Sequence, residues 1–309
     1  MKEFCTGTNA GWKKFRGNPV LGGKYGVCFD ISVLKTDTGY RMYFSWRTKG
    51  SIGVTDSEDG FVWPEPVVCL SPRPTEQGWE DELNRPAVVY KDGLYHMWYT
   101  GQYLPGAAEG SSHIFYAVSK DGKEFSRVGD KPVLTPEKEW EKASVMCPDV
   151  MWDEEEGLFK MWYSGGEQYE PNAIGYAVST DGIHWDKNGE EPVFQADPEH
   201  SWEKHKAAGC HVVKTENEYI MFYIGYHNED YAQIGLAKSK NGITEWIRHP
   251  LNPIIAPEPE KWDGEACYKP YAIYDGEKWL LWYNGRRGHI EQIGVAVHSG
   301  FDLGFQEGR

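Results

Sequence analysis

The chain has 309 residues and a formal charge of −15, from 32 Lys plus Arg against 47 Asp plus Glu. An acidic body of this kind repels phosphate backbones and anionic membrane surfaces, which argues against nucleic acid or membrane as partners. No apolar run approaches the ~20 residues of a membrane span, and Met1 to Gly11 lacks a basic segment followed by an apolar stretch, so a soluble cytoplasmic protein is expected.

The first strand-like segment, Trp12 to Leu21, has the pattern of outer strands that recur downstream, such as Glu191 to Phe194. Ile31 to Leu34 then opens a unit that continues through Arg41 to Ser45 and turns at Asp59-Gly60. The same order returns four times. First strands recur at Ala87 to Tyr90, Asp149 to Trp152, His211 to Lys214 and Tyr271 to Tyr274. Second strands recur at Met97 to Gly101, Met161 to Gly165, Met221 to Gly225 and Leu281 to Gly285. Turns recur at Asp121-Gly122, Asp181-Gly182 and Asn241-Gly242, spaced 62, 60 and 60 residues from Asp59 onward. Asp or Asn followed by Gly tolerates the positive φ of a tight turn, and runs apolar on both faces suit strands sandwiched between sheets.

Repetition at this period predicts an all-β fold, a five-bladed β-propeller of four-stranded antiparallel blades forming one domain over residues 1–309. Little chain remains after Val297 to supply a last outer strand, so residues 12–21 are expected to complete the last blade and close the ring. The Asp-Gly turns lie at the rim opposite the starts of the first strands and are read as structural.

The rim holding the starts of first strands and the ends of second strands gathers residues that differ in charge from unit to unit. Asp30, Asn84 with Arg85, Asp149, His211 and Lys269 begin first strands, and Glu265 lies just upstream of one. Arg47, Gln102, Glu167, His227 and Arg286 follow second strands. Structural repetition explains shared apolar positions and leaves this variation unexplained, which points to a ligand. Cys28, Cys147, Cys210 and Cys267 fall near the same strand starts, where small side chains fit a narrow centre. With Cys5 and Cys69 they make six cysteines without a paired CxxC spacing, read as reduced thiols. Asp149, His211 and a cysteine could hold a divalent cation in the channel, although no spacing motif announces a metal site. Trp46 and Tyr226 near the rim could stack on sugar rings.

The repeat resembles the five-bladed propeller glycosidases of glycoside hydrolase families 43, 32 and 68 and the phosphorylase-containing family 130. The resemblance implies that Asp30, in Cys28-Phe29-Asp30-Ile31, is the base or nucleophile. The Glu-Cys-Pro-Asp segment of family 32 corresponds to Met146-Cys147-Pro148-Asp149, with methionine at the place of the general acid. The Arg-Asp-Pro segment corresponds to Asn84-Arg85-Pro86, also without its carboxylate. Two of the three acids of the pattern are therefore absent.

The reading that follows is a hydrolase of a small glycoside or oligosaccharide. Asp30 is base or nucleophile, Asp149 is acid, and Glu265 or Glu167 is an alternative acid if burial raises its pKa. Arg47, Asn84, Arg85, Gln102, His211, His227, Lys269 and Arg286 are expected to bind the substrate. An inverting phosphorylase is the alternative, with Arg85, His211, Lys269 and Arg286 cradling inorganic phosphate. A non-catalytic carbohydrate-binding propeller is the third.

Overall fold

The structure is a computed structural model that describes residues 4–5, 7–74, 76–106, 109–167 and 171–305. Strands β1 (Phe4–Cys5) and β2 (Lys13–Phe15) open the chain. The first repeat forms β3 (Cys28–Thr36), β4 (Gly39–Trp46), β5 (Ser51–Ser57) and β6 (Val67–Leu70). The second forms β7 (Glu82–Lys91), β8 (Leu94–Gly106), β9 (Glu109–Ser119) and β10 (Ser126–Arg127). The third forms β11 (Ser144–Asp153), β12 (Leu158–Gly166), β13 (Pro171–Ser179), β14 (Asp186–Lys187) and β15 (Phe194–Gln195). The fourth forms β16 (Lys206–Lys214), β17 (Tyr219–Tyr226), β18 (Ala232–Ser239) and β19 (Ile247–Arg248), and the fifth β20 (Ala266–Tyr274), β21 (Lys278–Arg287) and β22 (Ile290–Ser299). The fold is thus all-β and built of antiparallel four-stranded sheets of the kind a propeller uses. Among the described residues no helix is long and apolar enough to cross a membrane.

Two compact units divide the chain: Met1–Phe29 with Ala196–Arg309, and Asp30–Gln195. In the Asp30–Gln195 unit, successive sheets share apolar layers. Tyr43 and Val54 of the first repeat meet Val88, Met97 and Tyr99 of the second, and Trp98 and Tyr116 meet Val145, Phe159 and Met161 of the third. In the other unit Phe222, Ile234 and Leu236 pack on Ala272, Leu281, Tyr283 and Ala296. Strand β2 pairs with β22, Lys13 opposite Val297.

The Asp-Gly turns are structural, as the sequence suggests. Ser57 Oγ accepts from Gly60 N at 2.9 Å, and Asp59 Oδ1 accepts from Phe61 N and Val62 N at 2.8 and 2.9 Å. The same bonds recur at Ser119 and Asp121, Ser179 and Asp181, and Ser239 and Asn241. Trp98 Nε1 donates to Gly182 O at 2.8 Å, tying the second repeat to the turn of the third.

A second periodic device holds the interior of the second to fifth sheets. Trp79-Glu80, Trp140-Glu141, Trp202-Glu203 and Trp262-Asp263 stand at corresponding places, and all four acids are buried. Glu80 Oε1 accepts from Tyr99 Oη at 2.8 Å and from Arg127 Nε at 2.7 Å. Glu141 accepts from Tyr163 Oη at 2.6 Å and Lys187 Nζ at 2.7 Å. Asp263 Oδ2 accepts from Tyr283 Oη at 2.9 Å and Lys14 Nζ at 2.7 Å. Glu203 Oε1 takes Arg248 Nε at 2.7 Å. In these sheets the acid links a second-strand tyrosine to a fourth-strand cation. The tryptophan lies over strand glycines: a Cβ on Gly175 would stand 2.8 Å from Trp140, and one on Gly235 2.4 Å from Trp202.

Candidate functional site

Each first strand is interrupted near its start by one residue in the left-handed region: Asp30 (φ 51), Arg85 (φ 57), Cys147 (φ 52), Gly209 (φ 47) and Lys269 (φ 46). In the last four strands the pairing slips at the same place, between Asn84 and Ala87, Met146 and Asp149, Ala208 and Cys210, and Tyr268 and Tyr271. These are β-bulges, which re-aim a side chain out of the pleat. A non-glycine residue there costs roughly 1–2 kcal/mol, and four of the five positions bear that cost. In the Asp30–Gln195 unit the bulges are pinned from the preceding sheet. Arg85 N donates to Ser45 Oγ at 2.8 Å and Cys147 N to Thr100 Oγ1 at 3.2 Å.

In that unit Asp30 is buried, and its Oδ2 lies 3.5 Å from Arg85 Nε. The ion pair thus joins two of the five bulge residues. Asn84 is buried beside it in the chain and donates from Nδ2 to Gln102 Oε1 at 2.7 Å, and Gln102 Nε2 donates to Ser112 Oγ at 3.1 Å. Asp149 is buried directly after the Cys147-Pro148 bulge, opposite Trp162 on β12. Arg47 is exposed in a short helical turn, Arg47–Lys49. Glu167 is 62% exposed, 3.0 Å from Lys142 Nζ.

In the other unit Lys269 is 1% exposed and has no hydrogen-bond or ion-pair partner among the described residues. Its side chain passes over Gly209, whose added Cβ would lie 3.9 Å from Lys269 Cδ. His211 is buried, stacks on Tyr271 at 3.8 Å between ring centroids, and holds Ala272 O at 3.0 Å from Nε2. That nitrogen must donate, since a carbonyl oxygen only accepts, which fixes the orientation of the ring. His227 Nδ1 lies 2.6 Å from Ser201 O, and Arg286 Nη2 donates to Asp230 O at 2.6 Å. Glu265 is exposed and accepts from Gly288 N at 2.9 Å.

The role of Glu167 and Glu265 as acids rested on burial, and neither is buried. Both sit at strand ends whose side chains reach solvent. Asp30, Arg85, Asn84, Gln102 and Asp149 are the expected residues that one unit holds in its interior, and Lys269 and His211 those of the other. Trp46 is buried at 6% exposure against Phe44 and belongs to the core. Among the described residues no group of three or more His, Cys, Asp or Glu side chains could hold a metal ion. Cys28, Cys69, Cys147, Cys210 and Cys267 are free and buried, and burial pushes the Cys28 thiol up to about 12, which suits packing and not thiolate chemistry. The Cys5 side chain lies outside the described residues.

The left-handed bulges were missed by sequence reasoning. The proline after Arg85, Cys147 and Lys269 favours an extended backbone of negative φ at the residue before it, so the sequence pointed away from the conformation these positions adopt.

The sequence is 31% identical over 218 residues to a 1,2-beta-oligomannan phosphorylase of Thermoanaerobacter sp. (strain X514), an alignment covering 66% of each chain. It is 27% identical over 153 residues to a beta-1,2-mannobiose phosphorylase of the same organism, covering 44% of this chain and 48% of the relative. Among solved structures, a thermostable family-43 glycoside hydrolase superposes with a TM-score of 0.69 at 21% identity, covering 90% of this chain and 91% of that one. The family model described as the glycosyl hydrolases family 32 N-terminal domain matches residues 23–190 and 157–302. The chain therefore belongs to the family of the glycosyl hydrolase family 32 N-terminal domain, within the β-propeller glycosidase superfamily.

Proposed function

We propose that the protein cleaves glycosyl bonds with inorganic phosphate as acceptor, as an inverting glycoside phosphorylase acting on β-1,2-linked mannosides. The observation that carries this reading is Lys269. An ammonium buried with no counter-charge among the described residues is costly, and an anionic substrate would supply that charge. Inverting hydrolysis needs both an acid for the leaving oxygen and a base to activate water. Phosphate is already a nucleophile, so phosphorolysis needs only the acid, and the methionine at position 146 is then no defect. The Thermoanaerobacter relatives, named as phosphorylases of such mannosides, support the same choice.

Under this reading a phosphate oxygen bonds to the anomeric carbon as the glycosidic C–O bond breaks, and Asp149 gives its proton to the departing oxygen. The proton that phosphate sheds to solvent balances the one Asp149 takes back. In the unit that holds Ala196–Arg309, Lys269 and His211 are the buried groups suited to an oxyanion. Asp30, paired with Arg85, acts as a fixed carboxylate accepting sugar hydroxyls, and Asn84 and Gln102 bond to further hydroxyls. We also propose that the five repeats are blades of one propeller and one domain, with β2 completing the last sheet, and that the enzyme works in the cytoplasm, where phosphate and reduced thiols are at hand.

The test is incubation of the purified protein with β-1,2-mannobiose and longer β-1,2-oligomannans, with and without phosphate. Phosphate-dependent release of mannose 1-phosphate is the expected result. Release of free mannose at the same rate without phosphate would replace this reading by hydrolysis, for which the buried pair Asp30 and Asp149 is the specific support. No turnover of any glycan in either buffer would overturn both in favour of a binding propeller.

A further inference from the structure

Beside β19 lies a cavity of about 350 Å3 lined by Asp197, His200, Trp202, Trp246, Arg248 and Asn252, with His249 and Pro250. None of these residues has a part in the proposed glycosyl chemistry. The walls are held by the protein's own bonds. Trp202 lies over Gly225 and Gly235, and its ring centroid is 5.6 Å from that of Tyr223, which fixes one indole. Arg248 Nε donates to Glu203 Oε1 at 2.7 Å. His200 Nδ1 is 3.0 Å from Asp197 Oδ2, and Asn252 clasps both backbone atoms of Leu236 at 2.9 Å.

The charges in this wall identify the ligand by elimination. The guanidinium of Arg248 faces the buried carboxylate of Glu203, and the imidazole of His200 faces Asp197. A phosphate or carboxylate would find Arg248 and His200 already paired with Glu203 and Asp197, and a cation would meet the arginine. A neutral ligand that offers hydroxyls to Asp, Arg, His and Asn, and an apolar face to indole, suits such walls. At about 350 Å3 the volume is near the lower end of the ~300–1,000 Å3 usual for small-ligand sites, the size for one or two sugar rings.

We infer that this cavity is a saccharide-binding site for a neutral mono- or disaccharide, independent of the residues proposed for catalysis. Trp246 and Trp202 pack on the ring C–H faces, and Asp197, His200 and Arg248 bond to hydroxyls. Binding here would hold a glycan to the protein without turning it over.

Protein labelled with 5-fluorotryptophan, its Trp246 resonance assigned by loss in Trp246→Phe, can be titrated with mannose, β-1,2-mannobiose, glucose and fructose, and with inorganic phosphate and choline chloride as controls. At least one sugar is expected to shift the Trp246 resonance saturably, and the controls are not. The affinity should fall at least tenfold in Asp197→Ala, fall less in Asp197→Asn, and persist in Lys269→Met. A shift with phosphate or choline in place of sugar would overturn the inference, as would no response to any sugar. A sugar response that disappears in Lys269→Met but survives Asp197→Ala would also overturn it, because the sugar would then sit with the catalytic residues. Persistence in Lys269→Met separates this site from the phosphorylase reading, which can fail without touching it.

Discussion

Buried charges among the described residues differ in how far their neighbours satisfy them. Lys269, at 1% exposure and with no partner among the described residues, is the unsatisfied kind. Replacing it with methionine removes the cost of burying an ammonium and keeps much of the side chain's volume, so Lys269→Met should leave the melting temperature unchanged or raise it. The same change should lower kcat/KM about 100-fold or more, with most of the loss in the phosphate dependence. Equal losses of stability and activity would mean that Lys269 is only structural. Glu141 is the satisfied kind. Burial pushes its carboxyl upward, yet bonds from Lys138 N, Lys187, Tyr163 and Glu137 N outweigh that and hold it below the ordinary carboxylate range. Glu141→Gln leaves the buried Lys187 ammonium without its closest anion and should cost roughly 3–5 kcal/mol in denaturant unfolding at neutral pH. Because the folded group binds its proton more weakly than the unfolded one, its contribution is complete above the unfolded value of ~4.3 and is lost as pH falls through the folded value. The gap between wild type and Glu141→Gln should therefore narrow below about pH 4.

Elements were legible in the sequence to the extent that their causes are local. A Ser-x-Asp-Gly turn is made by bonds within four residues, so Asp59-Gly60 and its copies declare themselves wherever they occur. The left-handed bulges do not, because Arg85 and Cys147 are held by Ser45 and Thr100, 40 and 47 residues away. Nor can sequence say which strand-end acid is wet, and so Glu167 and Glu265 stood as alternatives to Asp149. The Trp-acid repeat lies between these cases. Trp79, Trp140, Trp202 and Trp262 keep step with the turns in the sequence, whereas the burial of their acids, on which their role rests, depends on Tyr and Lys or Arg from two other strands. That dependence makes the strand glycines strict. A Cβ at Gly175 would stand 2.5 Å from Tyr163 Cζ and 2.8 Å from Trp140, and neither ring can retreat while Tyr163 Oη stays bonded to Glu141. Gly175→Ala should cost about 1–3 kcal/mol by overpacking, although the backbone there suits alanine. A variant as stable as wild type would show that the tryptophan layer is looser than its geometry suggests.

At the scale of the whole molecule, the unit that holds both chain ends depends on how the N-terminal segment is fastened. Strand β2 contributes a short pairing with β22, but three further links come with it. Lys14 Nζ reaches Asp263 Oδ2 at 2.7 Å and Ala256 O at 2.6 Å, so the last of the four Trp-acid sheets takes its cation from the N-terminal segment. Asn18 clasps Val295, accepting from its N–H at 2.9 Å and donating to its carbonyl at 3.0 Å, as Asn252 clasps Leu236 in the sheet before. Leu21 bridges Ile293. Residues 12–21 thus supply in the fifth sheet what residues after the turn supply in the fourth. Pairing ends so far apart adds little to the entropy of loop closure, which grows only with the logarithm of length, so the buried ion pair and the clasp outweigh it. Lys14→Met should cost roughly 3–5 kcal/mol, since Asp263 would remain buried with only neutral donors. Deletion of residues 1–21 removes the strand, the clasp and the cation together and should lower the melting temperature more than Lys14→Met does. Equal melting of the truncated and full-length proteins in thermal unfolding would show that the C-terminal sheet stands without its fourth strand, and the proposed completion of the last blade would fall with it.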